Sequence, residues 1–314
     1  MHIHLIAPSG AALDQRSPSN AVHYLGEQGI TCGNLACIKR VHQRFAGSDA
    51  ERLAEINALT ELDADTIVMA MRGGYGLQRI LAGIQWLELA NAVKRGLQIC
   101  GHSDFTAVQL GLLAKTGAIS LAGPMLNYDF GRLNQAGEPL VPNAFMWQHF
   151  KRAIKDRQLN CQVLESQAYL GNQVNSVEAH GLLWGGNLTI LSTLMGSEFM
   201  PNAAQTKGGI LFLEDINEHP YRLERMLIQL LEADVLAQQS AILLGNFSGY
   251  HLLDNDRGYD LTAAITWLRE RLPNSIPILT GLPFGHCPEK LTLPVGAQAN
   301  LTANLHGFSL QAHW

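Results

Sequence analysis

A serine between a predicted strand and a predicted helix is the first residue of this chain whose position suggests chemistry. Apolar residues up to Cys100 predict a short buried strand, and apolar residues recur at helical spacing from Phe105 onward. Ser103 falls between them, and Gly101 permits a tight turn. The free N–H groups of the first helical turn favour negative charge beside the hydroxyl. The pattern predicts a nucleophile elbow, although Phe105 fills the position of its usual second glycine and a serine here is also a common helix N-cap.

A nucleophilic serine needs a base and a group that orients the base. Glu214 ends the apolar run 209–213, where a carboxylate is costly unless it has a partner. His286 lies in loop 281–288, whose glycines and prolines favour the rigid placement that proton transfer requires. Glu214 could instead pair with a nearby arginine, and His286 could be a polar turn residue. Together with Ser103, however, they supply nucleophile, orienting group and base.

The glycine-rich loop 72–76 follows the predicted buried strand 66–70. It has no third glycine at dinucleotide-binding spacing, no acidic residue about 20 positions further on, and no G-K-[ST] sequence. We therefore expect no nucleotide cofactor. Backbone N–H groups of Gly73 and Gly74 could instead point toward Ser103 and form an oxyanion hole. A plain tight turn is the alternative interpretation.

Composition excludes several other classes of protein. The net charge of −5 and the scattered Lys and Arg residues argue against a nucleic-acid partner. No segment approaches the roughly 20 apolar residues of a membrane span, and the first residues lack the pattern of a signal peptide. The five cysteines are odd in number and widely spread, which predicts reduced thiols in a cytoplasmic protein. Cys32 and Cys37 lack further ligands nearby, so we expect no metal.

The first part of the chain alternates strands, loops and helices. Helices are predicted over 19–28 and 49–62 and from Leu77 onward. This alternation predicts a parallel sheet covered by helices, and function in such sheets lies at the carboxyl ends of the strands. Both the 72–76 loop and Ser103 fall at such ends.

The remainder of the chain has a less regular pattern of apolar residues. Periodicity weakens from Gly123 to about Ser166, apart from a predicted helix over 143–156. The strand 209–213 is predicted to end at Glu214 and Asp215, and short alternating runs close the chain. The fold class is α/β. We predict a Rossmann-like N-terminal domain at 1–142, a connecting segment at 143–168 and a smaller, β-rich α+β domain at 169–314.

Several motifs, taken in order, resemble the LD-carboxypeptidase family of serine peptidases over nearly the whole chain. Any one of these motifs is a weak indication of the family, but the whole set in this order is a specific one. The matching segments are Arg72-Gly73-Gly74-Tyr75-Gly76, Gly101-His102-Ser103-Asp104, Gly123-Pro124, Gly185-Gly186-Asn187-Leu188, Leu213-Glu214-Asp215-Ile216, Pro220-Tyr221-Arg222 and Gly281-Leu282-Pro283-Phe284-Gly285-His286.

The resemblance implies a role for each matched site residue. It implies a triad of Ser103, Glu214 and His286, with the backbone N–H groups of Gly74 and Asp104 as oxyanion donors. It also implies a Rossmann-like domain that carries the serine and a C-terminal domain that carries the other two. His102 departs from the family, in which Phe is common at this position. We interpret His102 as a packing or capping residue, since neighbouring side chains at an elbow diverge.

The family implies hydrolysis of the L,D-peptide bond before the terminal D-alanine of murein tetrapeptides, during peptidoglycan recycling. The mechanism needs no metal or cofactor, and the resemblance also implies a homodimer. Two alternatives remain open. One is the microcin-immunity branch of the family, which hydrolyses peptidyl or aminoacyl adenylates. The other is a non-catalytic ligand-binding protein of the same fold, which has no reason to keep Ser103, Glu214 and His286 together.

Overall fold

Two β-sheets with helices packed on them make up the architecture, described here from a computed structural model of residues 1–164, 166, 168–169 and 176–314. The strands are β1 His2–Ile6, β2 Thr31–Gly33, β3 Ile67–Ala70, β4 Gln98–Gly101, β5 Ser120–Ala122, β6 Gln158–Val163, β7 Ala168–Tyr169, β8 Ser176–Asn187, β9 Ile210–Ile216, β10 Ala241–Ser248, β11 Ile278–Thr280, β12 Leu293–Val295, β13 Gln298–Asn304 and β14 Gly307–His313. The α-helices are α1 Arg16–Glu27, α2 Asp49–Asn57, α3 Trp86–Arg95, α4 Thr106–Thr116, α5 Ala144–Asp156, α6 Leu188–Leu194, α7 Ala203–Thr206, α8 Pro220–Glu232 and α9 Leu261–Arg269.

The first sheet has the strand order β12-β5-β4-β3-β1-β2. Its pairings are parallel except for the edge pair of β12 with β5. Every residue of β3 and β4 is buried, as expected for parallel strands that are covered on both faces. The carboxyl ends of these two neighbouring strands lie side by side, so the glycine-rich loop after β3 and Ser103 after β4 share one edge of the sheet.

The second sheet has the order β6-β14-β13-β8-β9-β10-β11-β7. Strands β8 to β11 pair in parallel, and the outer strands pair antiparallel. After β11 the chain crosses to the first sheet, where β12 pairs with β5, and then returns to form β13. The loop between β11 and β12, which carries His286, therefore bridges the two sheets.

One apolar core runs through both sheets. Its buried members include Val68 of β3, Leu110 of α4, Leu213 of β9 and Leu293 of β12. Helix α4 is buried along most of its length, because it packs between the sheets rather than at the surface. A shared core holds the two sheets in a defined relation, which a site built from both of them requires. The predicted α/β fold class with two sheets is confirmed.

Two predictions about elements are wrong. No α-helix begins at Leu77; two short 3₁₀ turns, Leu77–Arg79 and Leu81–Gly83, come before α3. Gly83 fits closely against Leu53 and is a poor helix former, which explains the interruption. Strand β9 also does not end before Glu214 but continues to Ile216, because β10 keeps pairing with it beyond a bulge.

The domain boundaries drawn from the sequence stay a prediction. The predicted connecting segment contains α5, with Asn143 as its N-cap, and β6, which pairs with β14 of the second sheet. Residues 165, 167 and 170–175, which that segment and the predicted second domain include, lie outside the described residues. Within the described ranges, no helix is long and apolar enough to cross a membrane.

Candidate active site

Ser103 occupies a strained turn between β4 and α4. Its φ is +62°, in the left-handed region that non-glycine residues rarely adopt. Gly101 ends β4 and permits the tight turn because it has no Cβ to clash, as predicted, whereas the left-handed residue of the turn is Ser103 itself. Gly101 is needed for space: a Cβ there would lie 2.7 Å from the ring of Phe105. The strained serine on a strand-to-helix turn has the form of a nucleophile elbow.

The structure brings Ser103, His286 and Glu214 into one hydrogen-bonded chain. Nε2 of His286 lies 3.0 Å from Oγ of Ser103, and Nδ1 lies 2.7 Å from Oε2 of Glu214. An ionised carboxylate only accepts hydrogen bonds, so Nδ1 carries the proton and Nε2 accepts from the serine hydroxyl. The Glu214 side chain is fully buried, whereas that of His286 is 13% exposed. The imidazole is therefore held on its inner side and open to the cavity on its outer side.

Asn187 holds the buried carboxylate in place and links it to the turn that carries Ser103. Its Nδ2 donates to Oε1 of Glu214 at 3.1 Å, and its backbone N–H donates to Oγ1 of Thr106 at 3.1 Å. Thr106 is the first residue of α4, only three positions after Ser103. Both oxygens of Glu214 thus have donors, which offsets the cost of burying its charge.

Asp215 lies closer to the site than strand alternation predicts. Alternation places Glu214 and Asp215 on opposite faces, yet Nδ2 of Asn187 also donates to Oδ1 of Asp215 at 3.1 Å. The backbone N–H and the hydroxyl of Thr189 each donate to Oδ2 of Asp215 at 2.8 Å. Burial and the neighbouring Glu214 raise the pKa of Asp215 to about 6. One amide therefore bridges two adjacent carboxylates at the end of β9.

The glycine-rich loop approaches the serine so closely that a side chain would not fit. A Cβ on Gly73 would lie 2.7 Å from both Cβ and Oγ of Ser103 and 3.3 Å from the backbone nitrogen of Asp104. Gly74 follows with a φ of +115°. Within the described part of the chain, the N–H groups of Gly74 and Asp104 donate to no protein acceptor. Gly74 and Ser103 line the same cavity, and both N–H groups are available to donate to a bound oxygen atom, as an oxyanion hole requires.

The side chain of Asp104 links the two loops that carry these donors. It is almost fully buried, and its Oδ2 accepts from Oγ of Ser9 at 2.8 Å and from the backbone N–H of Leu77 at 3.1 Å. Burial raises the pKa of Asp104, although both hydrogen bonds and nearby arginines oppose that shift. The carboxylate thereby fixes the glycine-rich loop relative to the turn that carries Ser103.

A cavity of about 470 Å³ opens over the serine. Its lining combines apolar side chains with two arginines and backbone from the glycine-rich loop. The lining residues are Leu13, Asp14, Ser17, Arg72, Gly73, Gly74, Ser103, Met125, Asn127, Tyr128, Arg132, Leu133 and His286. In the described residues no group of three or more His, Cys, Asp or Glu side chains is arranged to hold a metal ion. The cavity is large enough for a short peptide segment.

His102 is buried behind the candidate base, and both of its ring nitrogens are engaged. Nδ1 lies 2.9 Å from the carbonyl of Gly123, and Nε2 lies 3.1 Å from the ammonium of Lys290. An ammonium only donates, so Nε2 accepts and Nδ1 donates. Burial, Lys290 and His286 together hold the pKa of His102 well below its usual value. His102 is therefore a neutral packing residue.

Sequence reasoning missed three side chains that support this site. Lys290 is fully buried and pairs with Asp129, its Nζ lying 2.8 Å from Oδ1. The pair joins positions 161 residues apart, and no local pattern signals it. Asn187 was visible only as part of a glycine-rich motif, without an indication of what its amide would contact.

Two regions of this chain match models of known protein domains. The chain matches the models of two domains, described as the LD-carboxypeptidase N-terminal domain over residues 3–123 and the LD-carboxypeptidase C-terminal domain over residues 180–301. The protein is thus a carboxypeptidase by class. Because the two models cover most of the chain, it belongs to the LD-carboxypeptidase family.

Individual relatives agree with this assignment. The "Probable murein peptide carboxypeptidase" of Bacillus subtilis is 30% identical over 94% of this chain and 86% of its own length. The murein tetrapeptide carboxypeptidase of Pseudomonas aeruginosa is 30% identical over 84% of this chain and 81% of its own. The crystal structure of muramoyltetrapeptide carboxypeptidase from Oxalobacter formigenes superposes with a TM-score of 0.85 at 40% identity, covering 100% of this chain and 99% of that one.

Proposed function

We propose that this protein is a serine carboxypeptidase that releases the terminal D-alanine of murein tetrapeptides by hydrolysing an L,D-peptide bond. The observation that carries the serine mechanism is the chain from Oγ of Ser103 through His286 to Glu214, with distances of 3.0 and 2.7 Å. It opens onto a cavity at the edge shared by two parallel strands, where function is expected in such sheets.

In the acylation step, Oγ of Ser103 attacks the carbonyl carbon between the diamino acid and D-alanine. Its proton passes to Nε2 of His286, and Glu214 stabilises the imidazolium through Nδ1. The N–H groups of Gly74 and Asp104 donate to the oxygen of the tetrahedral intermediate. His286 then returns the proton to the leaving nitrogen as the C–N bond breaks, and free D-alanine departs.

Deacylation repeats the same proton transfers with water. His286 removes a proton from a water molecule, which attacks the ester carbonyl of the acyl-enzyme. The tetrahedral intermediate is stabilised by the same two N–H groups, and the proton on His286 passes to Oγ of Ser103 as the ester bond breaks. The tripeptide leaves with a new carboxylate, and the resting site is regenerated.

The murein substrate is supported by the names of the relatives. Proteins named murein peptide or murein tetrapeptide carboxypeptidase match at 30% identity, and the Oxalobacter structure matches at 40%. Microcin C7 self-immunity structures match at about 23% identity, and the microcin C7 self-immunity protein of Escherichia coli is 28% identical over 81% of this chain, both below the identities of the murein relatives. We therefore favour the murein peptide over an aminoacyl adenylate.

Cellular location and assembly are also part of the proposal. Free thiols at all five cysteines fit a reducing compartment, and we place the protein in the cytoplasm. The family resemblance further implies a homodimer. Light scattering coupled to size-exclusion chromatography would measure the mass directly, and a mass of one chain would contradict the dimer.

Substrate specificity is tested by offering the purified protein two substrates side by side. One is the murein tetrapeptide, and the other is an aminoacyl adenylate analogue with a hydrolysable amide bond. Mass spectrometry should show tetrapeptide converted to tripeptide plus D-alanine, with the analogue left intact. Cleavage of the analogue alone would support the microcin-immunity alternative, and cleavage of neither would support a non-catalytic binding role.

A further inference from the structure

Two arginines line the cavity beside the serine, and they differ in their surroundings. The guanidinium of Arg132 lies over the ring of Tyr128, 5.3 Å from its centroid. Arg72 is half-buried, and its Nη1 donates to the carbonyl of Ala11 at 2.7 Å. In the described residues, no carboxylate lies within ion-pair distance of Arg72. Its positive charge is thus held in place but not neutralised.

Other arginines withdrawn from solvent near the first sheet do have carboxylate partners. Arg40 pairs with Glu55 at 2.8 Å, and the fully buried Arg52 pairs with Asp49 at 2.5 Å. Burial and the nearby cation Arg44 lower the pKa of Arg72. Its charged form is therefore not stabilised by a neighbouring negative charge. An unpaired cation in a concave site favours an anionic ligand, which would restore the missing Coulomb interaction.

Arg72 is also close to the reacting atoms. A Cβ on Gly74 would lie 3.5 Å from Nη2 of Arg72, and the N–H of Gly74 is a proposed oxyanion donor. In a carboxypeptidase substrate only the leaving nitrogen and one Cα separate the terminal carboxylate from the scissile carbonyl. A substrate whose carbonyl oxygen points at Gly74 therefore carries its carboxylate within reach of this guanidinium.

We propose that Arg72 binds the free carboxylate of the substrate's C-terminal residue and thereby restricts cleavage to the last peptide bond. This inference rests on the proposed carboxypeptidase function and deepens it. Arginine suits the task because its planar guanidinium donates two parallel hydrogen bonds to a carboxylate. Nη1 is already fixed by Ala11, so the guanidinium is oriented before the substrate arrives.

The test compares two forms of the same D-alanine-terminated tetrapeptide, the free acid and the C-terminal amide. The wild-type protein should prefer the acid. In Arg72→Met, the ratio of kcat/KM for the acid to that for the amide should fall by roughly 10- to 100-fold, the range expected for one charge-assisted hydrogen-bonded contact. Arg72→Lys, which keeps the charge but loses the planar fork, should retain part of the preference.

Arg132→Met is the matched control, since it removes the other arginine of the same cavity. It should keep the wild-type ratio of acid to amide. The proposal is overturned if the ratio is unchanged in Arg72→Met or collapses only in Arg132→Met. It is also overturned if the wild-type protein cleaves acid and amide equally well. Cleavage of neither peptide by the wild type would instead count against the proposed function, on which this inference rests.

A binding measurement separates recognition from turnover. Isothermal titration calorimetry of the free-acid tetrapeptide with Ser103→Ala and with Ser103→Ala/Arg72→Met requires no hydrolysis. The second variant should bind the acid roughly 10- to 100-fold more weakly, while the two variants should bind the amide with similar affinity. Equal affinity of both variants for the acid would overturn the proposal, even if the peptide proves not to be hydrolysed.

Discussion

Nδ1 of His286 lies 2.7 Å from Oε2 of Glu214, a carboxylate that the protein buries completely. The two residues come from β9 and from the loop before β12, and the interaction therefore depends on the chain crossing between its two sheets. A buried carboxylate at this distance selects one imidazole tautomer and stabilises the imidazolium that forms during proton transfer.

Replacing Glu214 tests this orienting role. Glu214→Gln keeps the size but removes the charge and can favour the wrong tautomer, so we expect a loss of kcat on the order of 10²–10⁴. Asp215→Asn is the matched control on the next residue and should cost less than about tenfold, because Asp215 is linked to the base only indirectly, through Asn187 and then Glu214. Steady-state kinetics of both variants would show which of the two carboxylates orients His286. A near-wild-type Glu214→Gln beside an inactive Asp215→Asn would show that the orienting carboxylate has been assigned to the wrong residue.

The raised pKa of Asp215, about 6, predicts a dependence of stability on pH. A carboxyl whose pKa is higher in the folded than in the unfolded state favours folding less as pH rises between the two values. We therefore compare the melting temperatures of the wild type and Asp215→Asn. The difference, wild type minus variant, should fall from about pH 4 to about pH 6 and stay level above pH 6. Differential scanning calorimetry of both proteins at several pH values measures this difference in melting temperature. A difference that rises over this window would mean that the hydrogen bonds to Asp215 outweigh its burial.

Gly73 tests the close approach of the glycine-rich loop to the serine. An alanine Cβ would meet Oγ of Ser103 at 2.7 Å and displace either the hydroxyl or the oxyanion donors. We expect Gly73→Ala to lower kcat by about 10²–10³, as the loss of an oxyanion donor does. Gly26→Ala is the control, because a Cβ there meets nothing within 4 Å in helix α1. An active Gly73→Ala protein would contradict the tight packing on which the oxyanion proposal depends.

The buried Lys290–Asp129 pair predicts a stability effect that depends on which partner is removed. Lys290→Met leaves a buried carboxylate without its cation, and we expect a loss of about 3–5 kcal/mol in the free energy of unfolding. Removing both charges in Asp129→Asn/Lys290→Met should recover most of this loss. Urea denaturation monitored by circular dichroism compares the three proteins. A double variant as unstable as Lys290→Met would show that the charge pairing is not the source of the effect.

Local sequence patterns predicted the parts of this site that depend on one segment. The strand before Ser103, the helix after it and the rigid loop around His286 follow from periodicity and from glycine and proline positions. Such local patterns do not predict contacts between segments that are distant in the sequence. Nothing near Lys290 in the sequence indicates Asp129 or His102 as partners, and alternation along β9 does not anticipate that Asn187 reaches both Glu214 and Asp215.

The failed helix prediction at Leu77 has the same origin. Its apolar spacing is compatible with a helix, but Gly83 is a poor helix former and its position leaves no room for a Cβ beside Leu53. This packing outweighs local helix propensity, and the backbone N–H of Leu77 donates to the buried carboxylate of Asp104, 27 residues away. The result is a short irregular segment next to the glycine-rich loop beside Ser103.

The most direct test of the central claim is release of D-alanine from murein tetrapeptide by the wild-type protein and by Ser103→Ala, followed by mass spectrometry. Because the proposed mechanism assigns the attacking oxygen to the serine, we predict that Ser103→Ala lowers kcat by at least about 10⁴-fold. Its melting temperature should stay close to that of the wild type. A Ser103→Ala protein that releases D-alanine within about tenfold of the wild-type rate would contradict the serine mechanism.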